Sequence, residues 1–537
     1  MTTFDLLLRR GTVIDGTRSP RFVADVGILG DQIAAVGNLQ DARAARVIDA
    51  GGKIVAPGFI DLHNHSDGWL LKHANFLPKT SQGFTTEVLM ADGISYAPVD
   101  KLNWRQWFYY LRSLNGLKFE DYEGWESLAD YMQLLSGRTA QNVATHVPYA
   151  NVRALACGFG RAEPDDFQLR SIAAEIVKGM EAGAVGLSTG LDYISQCFAG
   201  TDEIVAACKA MAPFGGLYVT HIRYKSGLLP ALNEAVDICR RAGVKLHVSH
   251  LKGGTEQAVQ EVLNWIDTYA RKEVDFSFDV YPYQRGSTMV NYLLPYEVWE
   301  DGPLAAIGRM SRPELLARFR TGLDVYRLPL DRVYIAWSAS GENQQHIGKL
   351  LVDYAAELDT PIEEALYHLL VEDSLATLLV LDEGSDKLVN PLLAHDLYLM
   401  GSDGIYHPEP SRLHPRVFGS AGRLLGPLVR DAGLFPLEDA VHKLSGGPAK
   451  RFGLAGRGVI REGAFADFVV FDPVVVGDRA TYEQPHQTCA GVEFVAVNGQ
   501  IIIESGQPHH FSGERWKPAS GEPGRFLRYQ GSGKRPA

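Results

Sequence analysis

The chain has 537 residues, 46% hydrophobic and 22% charged, with a formal net charge of -12 at pH 7 and a pI near 5.8. That acidity excludes binding by phosphate neutralisation, which needs concentrated Lys and Arg, and points to a small-molecule ligand. Five scattered cysteines (Cys157, Cys197, Cys208, Cys239, Cys489) without CxxC spacing, no signal-peptide core and no apolar run of about 18 residues exclude a disulfide framework, a thiolate zinc site and a membrane span; a cytoplasmic protein is expected, with homo-oligomerisation left open.

Residues 1–57 read as short strands punctuated by glycine (DLLLRRGTVIDG, ADVGILGDQIAAVG, ARVIDAGGKIVAPG), and residues 450–510 return to the same style in GVIREGAFADFVVFDP and GVEFVAVNGQIIIESG. Neither segment has the apolar surface to stand alone, so the two are expected to complete one small β-sandwich. Residues 511–537, rich in Gly, Pro, Lys and Arg, read as a wrapping or loose tail.

Between them, residues 58–449 alternate apolar strands with helical patterns, as βα units and a parallel sheet require. Eight candidate strands can be counted: FIDLHNH from Phe59, TTEVLMADG from Thr85, NVATHVPYA from Asn142, AVGLSTG from Ala184, GLYVTHIR from Gly216, KLHVSH from Lys245, VDFSFDVYPY from Val274 and LYLMGSDG from Leu397. The fold class is therefore α/β, a closed (β/α)8 TIM-like barrel, whose site lies at the C-terminal strand ends. Helices are predicted over 166–182 and 228–242 from their 3 and 4 spacing and the glycines that follow. Two long connections, 101–135 with its many aromatics and 284–345, read either as a lid or as a satellite core.

His63 and His65 are spaced i, i+2, so that in a strand both side chains reach the same face and can converge on one ion. Alone, the spacing also suits two hydrogen-bonded residues at a strand end. Asp92, His221, His250 and Asp403 end other strands in the same way, and six such residues together favour a metal site. Imidazole and carboxylate are the donors that zinc takes in catalytic sites, and a bound divalent ion activates water for hydrolysis. Asp403 is placed to take the proton of that water and return it to a leaving nitrogen. His247, an odd number of positions before His250, is expected to face the wall, and Tyr193 and Tyr283 to line the pocket.

The motifs PGFIDLHNHSD, QGFTTEVLMADGISYAP, AGAVGLSTGLDY, GGLYVTHIR, HVSHLK, DVYPYQRGSTM, MGSDGIYHPEP, HPRVFG and FADFVVFDP, in this order, resemble the amidohydrolase superfamily and within it the D-aminoacylase, or N-acyl-D-amino-acid deacylase, group. The resemblance implies a metal-dependent amidohydrolase of this barrel type, hydrolysing the amide C–N bond of an N-acyl (D-)amino acid or related small amide. It implies one or two divalent ions, Zn²⁺ or another such as Mn²⁺, with His63 and His65 at one position, His221 and His250 at the other, and Asp403 as catalytic aspartate and ligand. Asp92 stands where relatives place a cysteine in a sequence like GNCGIS, which exchanges a soft donor for a hard one. His146-Val147-Pro148-Tyr149 replaces VGH, Arg223-Tyr224-Lys225 replaces Arg-Asp-Glu, and Val290-Asn291-Tyr292-Leu293 lacks an arginine for a substrate carboxylate. Arg223, Lys252, Arg285 and Arg416 are the available substitutes, Ser287 is a further substrate candidate, and His407 and His414 are candidates for a supporting layer. The departures keep open a same-fold enzyme acting on a cyclic amide, carbamate, ester or C–C bond, and a non-catalytic binding barrel.

Overall fold

Runs of β-branched and aromatic residues that are apolar on both faces belong in strands covered on both sides, and the centre of this protein is built from them. The computed structural model describes residues 3–326, 329–508 and 522–530. The barrel strands are β1 (Phe59–Asp61), β2 (Phe84–Leu89), β3 (split into Asn142–Thr145 and Val147–Pro148), β4 (Gly186–Gly190), β5 (Leu217–His221), β6 (Lys245–Val248), β7 (Phe276–Val280) and β8 (Tyr398–Met400). All neighbouring pairs are parallel, running β1-β2-β3 and then β3-β4-β5-β6-β7-β8. The ring closes where the Leu62 N–H donates to the Met400 carbonyl (3.2 Å), the Asp403 N–H to the His63 carbonyl (2.7 Å) and the His65 N–H to the Gly404 carbonyl (3.2 Å).

Both predicted helices form, over Asp166–Ala182 and Leu228–Ala242. Asp165 caps the first by accepting from the Gln168 N–H, and Gly183 and Gly243 end the two in the left-handed conformation that glycine adopts without strain. Inside the barrel, Ile60, Leu62, Val88, Ala144, Val185, Leu217, Val219 and Leu399 form a small core with Phe452 and Leu454. No residue of β6 or β7 joins it.

The two chain ends share a nine-stranded sheet, joined where Ile54–Pro57 pairs antiparallel with Phe468–Phe471. It branches at Thr3–Val13, which pairs with strands on both sides and with Arg43–Asp49, and it encloses Leu8, Val26, Ile33, Val55, Phe468 and Val470. Pro57 leads directly into β1, so this sheet anchors the strand that carries the histidine pair. Of the tail, residues 522–530 lie beside β3, with a Val143 N–H bond to Arg525 O and a Leu527 N–H bond to Val143 O; the rest falls outside the described residues.

The second long connection runs on past residue 345: Gly286–Met289, Val333–Ser338 and Thr377–Leu381 form an antiparallel sheet, backed by helices that include Leu351–Glu357 and Ile362–Glu372. The apolar strand at 377–381 needs the other two to satisfy its backbone, so the insertion cannot stop earlier. It shares one core with the aromatics of 101–135, where Trp107, Tyr110, Trp125 and Tyr131 pack with Leu293, Trp299 and Phe319. The two connections are thus one cap. Among the described residues no helix is long and apolar enough to cross a membrane.

Glu87 on β2 is fully buried, accepting from Ser66 Oγ (2.5 Å) and Gln141 Nε2 (2.8 Å), and burial pushes its pKa up to about 7 in spite of Lys79. A carboxyl whose folded pKa is raised holds its proton more tightly when folded, so its stabilising contribution is complete below the unfolded value of 4.5 and is lost as pH rises through about 7. Glu87→Gln is therefore expected to melt above the parent at pH 8.5, by up to about 3 kcal/mol on linkage grounds, and to lose that advantage at pH 5, as thermal unfolding at the two pH values would read.

Candidate metal centre and active site

The six strand-end residues converge. His63 and His65 flank Asn64, whose backbone bridges Gly404, and this extended stretch turns both imidazoles the same way. His63 Nε2 stands 3.6 Å from Asp92 Oδ1 and 3.6 Å from Asp403 Oδ1; His65 Nε2 stands 3.7 Å from Asp92 Oδ2 and 3.2 Å from Asp403 Oδ1. His250 Nε2 lies 3.9 Å from Asp92 Oδ1 and 2.9 Å from His221 Nδ1. Donor atoms of His63, His65 and Asp403 fall within 4.8 Å of one another, as do those of His63, Asp92 and His250. His221 joins neither set directly and reaches them through His250.

Except for His221, the last residue of β5, these residues lie just beyond the regular strands. Met90, Asp92, His250 and Asp403 all have positive φ (64°, 57°, 37° and 49°), a conformation that costs a non-glycine residue roughly 1–3 kcal/mol and recurs at functional sites. The same feature corrects the expectation for His247. It pairs in register with Val219, whose side chain is in the barrel core, so His247 faces the interior beneath the site and not the wall. Alternation counted back from His250 fails because His250 lies past the end of β6, in the left-handed region.

The donor set fits a cation. Both ring nitrogens of His63, Oδ1 of Asp92 and Nε2 of His221 are buried with no hydrogen-bond partner, an arrangement that costs free energy unless something else satisfies them. Asp92, Asp279, Asp192 and Asp403 bring four carboxylates into this buried region. Burial opposes their charge, yet the histidines, and for Asp403 chiefly Arg416, hold all four below the usual carboxylate range. Burial and His221 push His250 down to about 4, which leaves its imidazole neutral at pH 7. Nitrogen and oxygen donors of this kind suit Zn²⁺ or Mn²⁺.

Around the donors, Arg416 is wholly buried, with Nη1 2.9 Å from Asp403 Oδ2 and Nη2 donating to the Ser287 carbonyl (3.0 Å). Lys252 donates to the carbonyls of Gln284 (2.8 Å) and Arg285 (3.0 Å), and burial pushes its pKa down. Both cations lie against Tyr281, at 4.3 and 3.9 Å from the ring centre. Tyr193 sits in the site, its ring 4.7 Å from that of His221. Asp192 Oδ2 stands 3.5 Å from His221 Nε2, and Asp192 accepts from the hydroxyls of Tyr296 (2.6 Å) and Tyr292 (3.5 Å). The cap thereby reaches a candidate ligand.

Several substrate candidates lie elsewhere. Tyr283 gives its hydroxyl to Asp478 (3.1 Å), and Ser287 gives its own to the Leu379 carbonyl (2.8 Å). Arg223 is committed to the carbonyls of Leu191, Cys197 and Ala199 and to Glu234, holding the loop after β4. Arg285 pairs with Asp382 (2.8 Å). His407 donates to the Ser113 carbonyl and stacks on Trp337, and His414 bonds the Arg285 carbonyl, so both brace the cap against the barrel. Sequence reasoning missed Asp192 and Asp279. For Asp279 a signal was available: in the mostly apolar strand Phe276–Val280 it shares a polar face with Ser277.

The chain matches the Amidohydrolase family over residues 46–278 and 387–503. It is similar to a D-aminoacylase of Alcaligenes xylosoxydans xylosoxydans, 36% identical over 93% of this chain and 94% of that one, and to an N-acyl-D-glutamate deacylase of the same organism, 34% identical over 98% and 97%. Its structure resembles the crystal structure of an N-acyl-D-glutamate deacylase from Bordetella bronchiseptica complexed with zinc and a phosphonate inhibitor that mimics the tetrahedral intermediate (TM-score 0.82, 32% identity, 98% of this chain and 100% of that one).

If the cluster is a metal site, Asp92→Asn and His250→Ala should each weaken zinc binding by more than ~100-fold, beyond the usual loss of an outer partner. Competition against a chromogenic chelator would read this; zinc affinity unchanged in both would remove these residues from the ligand set.

Proposed function

The chain belongs to the amidohydrolase family, and from that premise we propose that it deacylates an N-acyl-D-amino acid, holding one or two divalent ions, zinc first, on His63, His65, Asp92, His221, His250 and Asp403. The reaction class is metal-dependent hydrolysis of an amide C–N bond. The observation that carries the reading is the buried donor cluster with a cation pair, Lys252 and Arg416, beside its aspartate. The preference for D-substrates follows the relatives. Five unpaired cysteines support a reducing compartment.

A divalent ion in this cluster would lower the pKa of water and polarise the amide carbonyl. The protein's own residues do the rest. Asp403 Oδ1 faces the donor set while Oδ2 is held by Arg416, whose charge keeps the carboxylate ionised and so able to act as a base through Oδ1. As water adds to the carbonyl carbon, Oδ1 takes its proton; as the C–N bond breaks, the same oxygen gives that proton to the departing nitrogen. With Arg416 Nη1 on Asp403 and Nη2 on the Ser287 carbonyl, Arg416 Nε and the Lys252 ammonium are the donors left for a substrate carboxylate. Tyr193 and the cap's Tyr292, with rings 5.4 Å apart, shield the site from water on the β4–β5 side.

Two outcomes are expected from steady-state kinetics on N-acetyl-D- and N-acetyl-L-amino acids at saturating zinc. Asp403→Asn should lower kcat by ~10²–10⁴-fold. Lys252→Met should act mainly on KM, raising it by about 10–100-fold, the loss of one charge-assisted contact. Full turnover by metal-free protein, or no turnover of any N-acyl amino acid, would sink the proposal.

A further inference from the structure

The apolar core inside the barrel is interrupted at β6 and β7, where His247, Ser277 and Asp279 face inward. Asp279 is 0% exposed and each of its oxygens is engaged. Oδ1 accepts the backbone N–H of His250 (2.8 Å). Oδ2 accepts from His247 Nε2 (3.0 Å) and stands 3.6 Å from His63 Nδ1. His247 turns its other nitrogen to Ser277 Oγ (2.7 Å), so the imidazole is fixed with its Nε2 proton on Asp279. One carboxylate therefore touches two candidate ligands from different strands.

Each contact has a consequence for the site. His250 has φ of 37°, and the bond from its N–H to Asp279 holds it in that strained conformation. His63 has no other partner for Nδ1, and a carboxylate opposite that nitrogen favours the tautomer with the proton on Nδ1, leaving the Nε2 lone pair toward Asp92 and Asp403. Gly401 makes room for this. A Cβ at position 401 would lie 2.7 Å from Asp279 Cγ and 2.7 Å from His63 Cβ, closer than side chains tolerate.

We propose that Asp279 is a positioning residue that sets the tautomer of His63 and the backbone of His250 together, so that both turn Nε2 toward one cation beside Asp92 Oδ1. The inference rests on the metal reading of the strand-end cluster. Asn at 279 keeps the size but turns an NH₂ toward His63, which reverses the favoured tautomer and puts a proton on the nitrogen that must bind.

The test is zinc affinity, by chelator competition, together with circular dichroism and melting of the metal-free protein, for the parent, Asp279→Asn, Asp279→Glu and Ser277→Ala. Asp279→Asn is expected to bind zinc ~10–100-fold more weakly at unchanged circular dichroism and metal-free melting, Asp279→Glu to recover part of the loss by restoring the acceptor, and Ser277→Ala to stay within about threefold. Zinc binding by Asp279→Asn as tight as in the parent would overturn the proposal, as would an equal loss in Ser277→Ala. Failure of both Asp279 variants to fold would overturn it too, by making the carboxylate a requirement of the barrel. If the parent itself binds no zinc, the metal reading falls, and the inference with it.

Discussion

The interaction on which the structure turns is the burial of four carboxylates close together at the barrel mouth. Asp92, Asp192, Asp279 and Asp403 are all nearly inaccessible, and Arg416 is the one side-chain cation in direct contact with any of them among the described ion pairs. Isolated ions at such depth are costly, so the site is tolerable only if imidazoles, backbone N–H groups and a cation share the load. That requirement explains the crowding of His63, His65, His221, His247 and His250 around these carboxylates better than any single residue's role. It also explains the strained residues at the strand ends. A regular strand turns every second side chain outward, and left-handed kinks at Asp92, His250 and Asp403 bring in donors that alternation would send elsewhere.

The same constraint decides which parts were legible in the sequence. The barrel could be read because eight apolar runs with helical intervals leave few alternatives, and the helices at Asp166–Ala182 and Leu228–Ala242 could be read because caps and periodicity agree. The His63-Asn64-His65 spacing was legible because the local backbone is extended. The orientation of His247 was not, since it depends on where β6 ends and on the φ of His250. The role of Asp192, and that of Asp279, which its place in a mostly apolar strand marks as unusual without saying what it supports, were illegible for another reason. Their partners are brought by other strands or by the cap, and no local pattern marks a carboxylate as the support of a distant histidine.

The cap was half legible. Its aromatics announced a packed unit, and the structure gives them a core shared by both long connections. Its link to the site could not be foreseen, because it runs through the tyrosines at 292 and 296 to Asp192 and thence to His221. That chain of contacts makes the barrel and the cap mutually dependent. The barrel supplies the candidate donors, and the cap fixes one of them, His221, from outside through Asp192.

In the proposed metal site, Asp92 would show how a changed ligand type is accommodated. A thiolate offers one large, soft atom, whereas Asp92 offers two hard ones, and the structure uses both: Oδ1 lies toward His63 and His250, Oδ2 toward His65. The carboxylate thus spans the interval between two donor sets that share His63. With every donor in the cluster now nitrogen or oxygen, selectivity for soft ions falls and binding depends more on geometry and charge. Geometry at the strand ends is in turn held by the positive-φ turns. On the proposed ligand set, the substitution would shift the burden of metal selection from the chemistry of one atom to the rigidity of the loops that carry it.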